Sequence, residues 1–202
     1  MRITGGSLRS RSLRAPHGQA TRPTSDRVRE ALFAILDSAG RLAGARVLDL
    51  YAGTGALALE ALSRGAAAAT LVESGRQALE AARANVASLG LPDRVRILAC
   101  DVGAAVDRLG RHGPFDLVLV DPPWALVDAR ERGVGPILAL LAASGALAPG
   151  ATVVLEHSAR TPAPEIAGLE RMDTRRYGDA ALAFYKPAIL AHPLRESADS
   201  SE

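Results

Sequence analysis

Cysteine is almost absent from this sequence. The one thiol, Cys100, excludes an internal disulfide and fits a reducing compartment. It follows an apolar run, Val95 to Ala99, and has no evident base partner, so it reads as a small buried thiol. Aromatic residues make up only 3%, so the core must be built from Ala, Leu and Val. With 48% hydrophobic residues in 202, one sizeable core is within reach. Lys186 is the only lysine, and no G-x-x-x-x-G-K-[ST] phosphate loop exists. His17, His112, His157 and His192 are scattered without metal-ligand spacing, so no metal is expected. The N-terminus, MRITGGSLRS, lacks the apolar core of a signal peptide. The longest uncharged run, Gly133 to Leu155, is cut by Pro136, Gly145, Pro149 and Gly150 into a helix and a strand rather than a membrane span. A cytoplasmic monomer is the expectation.

What is present is organised around Val47 to Gly65, VLDLYAGTGALALEALSRG. An apolar strand pattern broken only by Asp49 runs into a glycine turn, and a helical pattern follows until Gly65. Gly53-Thr54-Gly55-Ala56-Leu57-Ala58 fits G-x-G-x-x-A, the turn that lets backbone approach a dinucleotide. The next apolar run ends at Glu73, twenty residues after Gly53, where an acid can accept ribose hydroxyls. An adenosine-bearing cofactor is implied. Asp49 decides which one. Its carboxylate would repel the pyrophosphate of a nicotinamide cofactor but attract the sulfonium and ammonium of S-adenosylmethionine.

The rest of the chain alternates. Strands are predicted at 47–50, 70–73, 95–99, 116–120 and 152–156, all rich in Val, Leu and Ile without alternation. Helices are predicted at 24–39, 55–64, 75–89, 102–109 and 129–143, the third opened by a Ser74–Gln77 capping box. Leu169–Tyr177 and Ala180–Tyr185, joined by Gly178-Asp179, read as a closing hairpin. The fold class is α/β, a doubly wound, mostly parallel sheet with an antiparallel end. Residues 1–40 read as a basic arm and helix, 41–187 as the cofactor-binding domain and 188–202 as a disordered tail.

Charge is unevenly placed. Residues 1–29 hold seven arginines and Asp26, a balance of +6, so with +2 overall the remainder is 2 − 6 = −4. A basic arm on a mildly acidic body points to a polyanionic partner. Arg9, Arg11, Arg14 and Arg22 in the arm are the expected phosphate contacts, with Arg27 and Arg29 pointing away from the apolar stripe of the first helix.

Ligands of open α/β sheets gather at the carboxyl ends of the strands. Asp49, Gly53, Glu73, Asp101 and Asp121 all fall there. Asp101 and the Val102 amide are placed to bind an adenine edge, and Asp101 also suits a helix N-cap. In Asp121-Pro122-Pro123-Trp124, two prolines remove amide donors and leave carbonyl acceptors. Asp121 and the Pro122 carbonyl could hold the two hydrogens of a base amine while Trp124 stacks on the ring.

Arg2-Ile3-Thr4-Gly5-Gly6, Arg22 to Phe33, Asp49 to Leu57 and Asp121-Pro122-Pro123 together resemble the bacterial 16S ribosomal RNA guanine-N2 methyltransferases that act on guanine 966. The similarity runs from about residue 2 to 187. It implies a Rossmann-like class I methyltransferase of seven strands with the last antiparallel. It implies S-adenosylmethionine at Asp49, Tyr51, Gly53, Thr54, Gly55, Glu73, Ser74, Asp101 and Val102, base capture at Asp121 to Trp124, and action on 16S rRNA in the 30S subunit or its assembly intermediate. Trp124 stands where the family usually has tyrosine, and Ser10 where glycine is common. DNA adenine-N6 methyltransferases share the D/N-P-P-aromatic motif, so a DNA amino-methyltransferase is the alternative within this chemistry. A non-catalytic assembly factor is the alternative outside it.

Overall fold

The computed structural model describes residues 1–15, 26–129 and 133–188. Helix α1 (Asp26–Ser38) leads into β1 (Arg46–Leu50), α2 (Ala56–Ser63), β2 (Ala68–Glu73), α3 (Arg76–Ser88), a 3-10 turn (Pro92–Arg94) and β3 (Val95–Ala99). Then come α4 (Val102–Leu109), β4 (Phe115–Val120), α5 (Trp124–Asp128), α6 (Val134–Ala143), β5 (Leu147–Ser158), β6 (Leu169–Tyr177) and β7 (Ala180–Pro187).

The strands form one sheet in the order β3-β2-β1-β4-β5-β7-β6. The first five are parallel, and β7 runs antiparallel between β5 and β6. The five parallel strands read as apolar runs in the sequence, and the closing hairpin as two runs joined by Gly178-Asp179, of which β6 is charged and mostly exposed. Both faces are covered, which is why the central strands show no alternation. One apolar cluster joins α1, α2 and α3 to one face, and a second joins α4 and α6 to the other. The chain order reverses between β1 and β4, so their carboxyl ends flank the crevice where such sheets bind ligands.

The N-terminal segment is a packed element. Arg2 and Ser12 form an antiparallel bridge, and Ile3 and Leu13 are buried in the same cluster as α1 and α2. Burying each such side chain contributes ~1.5–3 kcal/mol. Ser10 sits at φ 68°, a left-handed conformation that favours glycine, which accounts for glycine being common there in the family. The segment 16–25, with the predicted start of α1 at Thr24, lies outside the described residues, as does 189–202, most of the predicted tail.

Two local expectations are corrected. The helix predicted at 129–143 is not continuous. Ala129 is extended after α5, and α6 begins at Val134. Pro136 is tolerated in the first turn of α6 but would break a helix arriving from upstream. A Cβ at Gly133 would collide with the Leu126 and Ala129 carbonyls, so the return between α5 and α6 needs a glycine. Nor does Ser74 cap α3. Gly75 is the N-cap with no side-chain bond, and Glu73 instead accepts the Ser74 N–H at 2.9 Å and the Gly75 N–H at 2.7 Å.

Candidate active site

Strand β1 ends in a tight turn. Tyr51, Gly53 and Gly55 have φ of 60°, 57° and 78°. For glycine this costs little, whereas Tyr51 stores roughly 1–2 kcal/mol of strain. Ala52 donates to the Val72 carbonyl at 3.1 Å and Gly55 to that of Ala52 at 2.8 Å, tying the turn to β2 and to itself. A Cβ on Gly55 would lie 2.8 Å from Leu71 Cδ2, so the helix can start this close to the sheet only at glycine.

Asp49 lies beneath that turn, 1% exposed. Its Oδ2 accepts the Ala58 N–H at 3.0 Å, and its Oδ1 is buried with no partner. Burial pushes the carboxyl up to about 8; the Ala58 amide opposes the shift, while the negative charges of Asp121 and Glu73 add to it. Three carboxylates from β1, β2 and the end of β4 thus repel one another at one crevice. An orphaned carboxylate oxygen in a net negative pocket fits a cationic ligand and opposes an anionic one.

Glu73 is committed on both oxygens. Oε2 accepts the Gly53 N–H at 2.8 Å, while Oε1 takes the two N–H groups before α3. Oε1 thus uses both its lone pairs, while Oε2 keeps one for a hydroxyl. Asp101 is exposed and caps α4, its Oδ1 accepting the Gly103 N–H at 2.8 Å. Burial, and then the Asp101 charge, push the Tyr51 phenol up to about 12. β1, β2 and β3 lie side by side and parallel, so the turn and the carboxyl ends of β2 and β3 share one rim.

Leu50 pairs with Val120, so Asp121 emerges beside Tyr51. Asp121 is half-buried, Pro122 buried and Pro123 exposed. The Pro123 carbonyl accepts the Leu126 N–H at 2.8 Å. Trp124, half-buried, is the first residue of α5. The next residues on β5, Leu155 and Glu156, continue the register of Val120 and Asp121, and Glu156 lines a small crevice with Asp121, Leu32 and Leu57.

The arginines expected to meet phosphate divide. Arg9, Arg11, Arg14 and Arg27 are exposed, and Arg22 lies outside the described residues. Arg29 is a correction. It does not point outward but is 1% exposed, donating from Nη2 to the Arg2 carbonyl at 2.6 Å and to Asp26 at 2.9 Å, with Glu60 at 3.7 Å. The helix face it occupies, polar by periodicity, is covered by the N-terminal segment.

Three polar residues that motif reading passed over hold that segment in place. Glu60, fully buried in α2, accepts the Thr4 N–H at 2.7 Å, the Gly5 N–H at 2.8 Å and the Arg64 Nε–H at 2.8 Å. Ser63 donates to the Gly5 carbonyl at 2.5 Å and accepts the Leu8 N–H at 2.9 Å. Asn85 of α3 accepts the Arg14 N–H at 2.7 Å and donates to the Thr54 carbonyl at 3.0 Å. A lone acid inside the apolar run Ala56–Leu62, four residues before Arg64, was the available signal for Glu60.

Among the described residues no helix is long and apolar enough to cross a membrane. The family model described as conserved hypothetical protein 95 matches residues 1–186. Ribosomal RNA small subunit methyltransferase D of Escherichia coli (strain K12) is 38% identical over 167 residues, covering 82% of this chain and 79% of that protein. The solved structure of a hypothetical protein from Thermus thermophilus matches with a TM-score of 0.74 and 32% identity, over 91% of this chain and 98% of that one. That of a SAM-dependent methyltransferase from Agrobacterium tumefaciens matches with a TM-score of 0.53 and 25% identity, over 65% of this chain and 44% of that one.

Proposed function

The chain belongs to the conserved hypothetical protein 95 family, and from that membership and the geometry of its crevice we propose that it methylates the exocyclic N2 amine of a guanine in 16S rRNA, at position 966, using S-adenosylmethionine. The observation that carries this reading is the register Leu50–Val120. It sets the strained glycine turn beside Asp121-Pro122-Pro123-Trp124, over a buried carboxylate with one oxygen unpartnered.

Asp49, Tyr51, Gly53, Thr54, Gly55, Glu73, Ser74, Asp101 and Val102 are the proposed cofactor contacts. When bound, the cofactor supplies an electrophilic methyl group. The negative crevice favours its cationic end, and the unused lone pair of Glu73 Oε2 suits a ribose hydroxyl. Asp121 and the Pro122 carbonyl accept the two hydrogens of the base amine. That turns its lone pair, otherwise delocalised into the ring, toward the methyl carbon. Trp124 fixes the plane of the flipped base. Transfer of the methyl group would release S-adenosylhomocysteine, and the surplus proton of the amine would pass to the Asp121 carboxylate. No protein nucleophile is required, because alignment of the reactants can supply ~7–11 kcal/mol.

The partner is 16S rRNA in the 30S subunit or an assembly intermediate, with Arg9, Arg11, Arg14, Arg22 and Arg27 as phosphate contacts. Incubation of the protein with labelled S-adenosylmethionine and 30S particles, naked 16S rRNA or duplex DNA tests the proposal. Label is expected in rRNA and in the N2 amine of one guanine. Label in duplex DNA alone would indicate a DNA amino-methyltransferase, and none in any substrate a non-catalytic binding protein.

A further inference from the structure

At the edge of the sheet opposite the glycine turn, the amino ends of β1, β2 and β3 border a cavity of about 490 Å³. Four arginines line it. Arg46 heads β1, Arg94 ends the 3-10 turn, Arg96 lies in β3 and Arg111 follows α4. The parallel register brings them together, with Arg46 opposite Ala68 and Arg96 opposite Thr70. Two are pinned to the main chain. Arg46 Nη2 donates to the His112 carbonyl at 2.6 Å, and Arg94 donates to the Ala67 carbonyl at 3.1 Å and to that of Ala66. Arg96 and Arg111 are exposed.

Several other arginines of this protein meet carboxylates. Arg29 and Arg64 share Glu60, Arg171 meets Glu165 and Arg175 meets Asp173. Among the described residues no ion pair involves any of the four basin arginines. Asp116 takes the Arg46 main-chain N–H, and Asp93 is the one acid in the lining. Four guanidinium groups, none of them in an ion pair and with one carboxylate in the lining, are gathered on a body whose residues beyond 29 sum to 2 − 6 = −4. Such a cluster repels itself unless an anion neutralises it. The lining contains no Phe, Tyr or Trp, so no base-stacking platform is present. Guanidinium forks suit phosphate oxygens.

We propose that this basin is a second RNA-contact site that takes backbone phosphates of the rRNA substrate at the end of the sheet away from the target base. The proposal rests on the rRNA reading above. The five residues of β1 separate the two rims by about 17 Å at ~3.3 Å per residue, so a folded rRNA can reach both while a short single strand at the crevice does not.

Arg96→Glu combined with Arg111→Glu tests this and spares Arg46 and Arg94, which brace the main chain. Binding of full-length 16S rRNA is measured over a salt series, beside the melting temperature and the affinity for S-adenosylhomocysteine. The slope of log affinity against log salt is expected to become less negative by about 1.4–1.8, at ~0.7–0.9 per lost phosphate contact. Should the double reversal fail to fold, Arg96→Gln with Arg111→Gln carries the same test. An unchanged slope in a folded variant overturns the proposal. Inorganic pyrophosphate, titrated into the wild type, distinguishes a free phosphate ligand. Displacement of pyrophosphate by rRNA supports the proposal, and pyrophosphate that remains bound in saturating rRNA overturns it. Binding is read without methyl transfer, so a wild type that binds rRNA but never methylates it sinks the proposed function and leaves this test intact.

Discussion

Asn85 Nδ2 donates to the Thr54 carbonyl at 3.0 Å while Asn85 Oδ1 accepts the Arg14 N–H at 2.7 Å. One amide, buried to 1% exposure, thus joins the glycine turn to the N-terminal segment. Asn85→Ala strands the Arg14 N–H and the carbonyls of Thr54 and Arg14, each costing roughly 1–3 kcal/mol where buried. The expected outcome is a lower melting temperature, about tenfold weaker S-adenosylhomocysteine binding and faster amide exchange in residues 1–15. Asn85→Asp still accepts the Arg14 N–H but, when ionised, cannot donate to the carbonyls of Thr54 and Arg14. It should therefore hold the segment by one bond instead of two and still weaken cofactor binding. Normal cofactor affinity in both variants would show that the bridge does not shape the turn.

A pH dependence follows from Asp49. Its carboxyl stands at about 8 in the folded protein, and near ~3.9 in an unfolded chain. The folded state therefore binds more protons between roughly pH 4 and 8. The contribution of Asp49 to stability is full below about 4 and is lost as pH rises through about 8. A cationic ligand favours the ionised form, so S-adenosylmethionine binding should release a proton near pH 7 and tighten as pH rises from 6 to 8. Calorimetry in two buffers of different ionisation heat measures the proton. Asp49→Asn keeps an acceptor for Ala58, and should abolish the release and stabilise the ligand-free protein above pH 8. Equal heats in the two buffers for the wild type would refute this account.

What local pattern could and could not reveal follows from the range of the forces involved. The strand Val95–Ala99 is set by near-neighbour apolar spacing and the closing hairpin by the Gly178-Asp179 turn, and both are present as expected. Asp121 beside the glycine turn was foreseeable from the rule that ligands meet at strand ends. The burial of Arg29 was not, because its partners Arg2 and Glu60 lie 27 and 31 residues away and the periodicity of α1 knows nothing of them. The basin arginines are likewise separated by up to 65 positions, from 46 to 111, and only sheet register gathers them. The unexpected α5 begins where two prolines fix the backbone and Trp124 follows, a start signal that reads equally well as a loop.

Arg27 and Arg29, two residues apart on α1, should respond oppositely to alanine. Arg27 is exposed, so Arg27→Ala should flatten the salt slope of rRNA binding by roughly 0.7 with no change in melting temperature. Arg29→Ala removes a guanidinium from a buried cluster with Glu60 and should destabilise by about 3 kcal/mol. Its effect on RNA binding should appear only as lost folded protein. A stable Arg29→Ala protein with a flattened salt slope would restore Arg29 as a phosphate contact.

Asp121 and Trp124 should separate in steady-state kinetics on 30S particles. The hydrogen bond from the base amine to Asp121 strengthens as the lone pair turns toward the methyl group, so its worth is greatest in the transition state. Losing it lowers kcat more than it raises KM. Asp121→Ala should cut turnover by roughly 10²-fold or more, taking a preorganised partner as ~2.7–4 kcal/mol. It also removes one of the charges that raise Asp49, so the proton release described above should shrink. Trp124→Ala should remove ~1–3 kcal/mol of stacking and raise KM, whereas Trp124→Tyr or Trp124→Phe keeps a flat ring and much of the activity. The coupling to Asp49 supplies a control that activity alone does not. If Asp121→Ala keeps a near-normal kcat while the proton release shrinks as expected, the loop borders the crevice without gripping the base, and the methyl-transfer mechanism proposed for it must be given up.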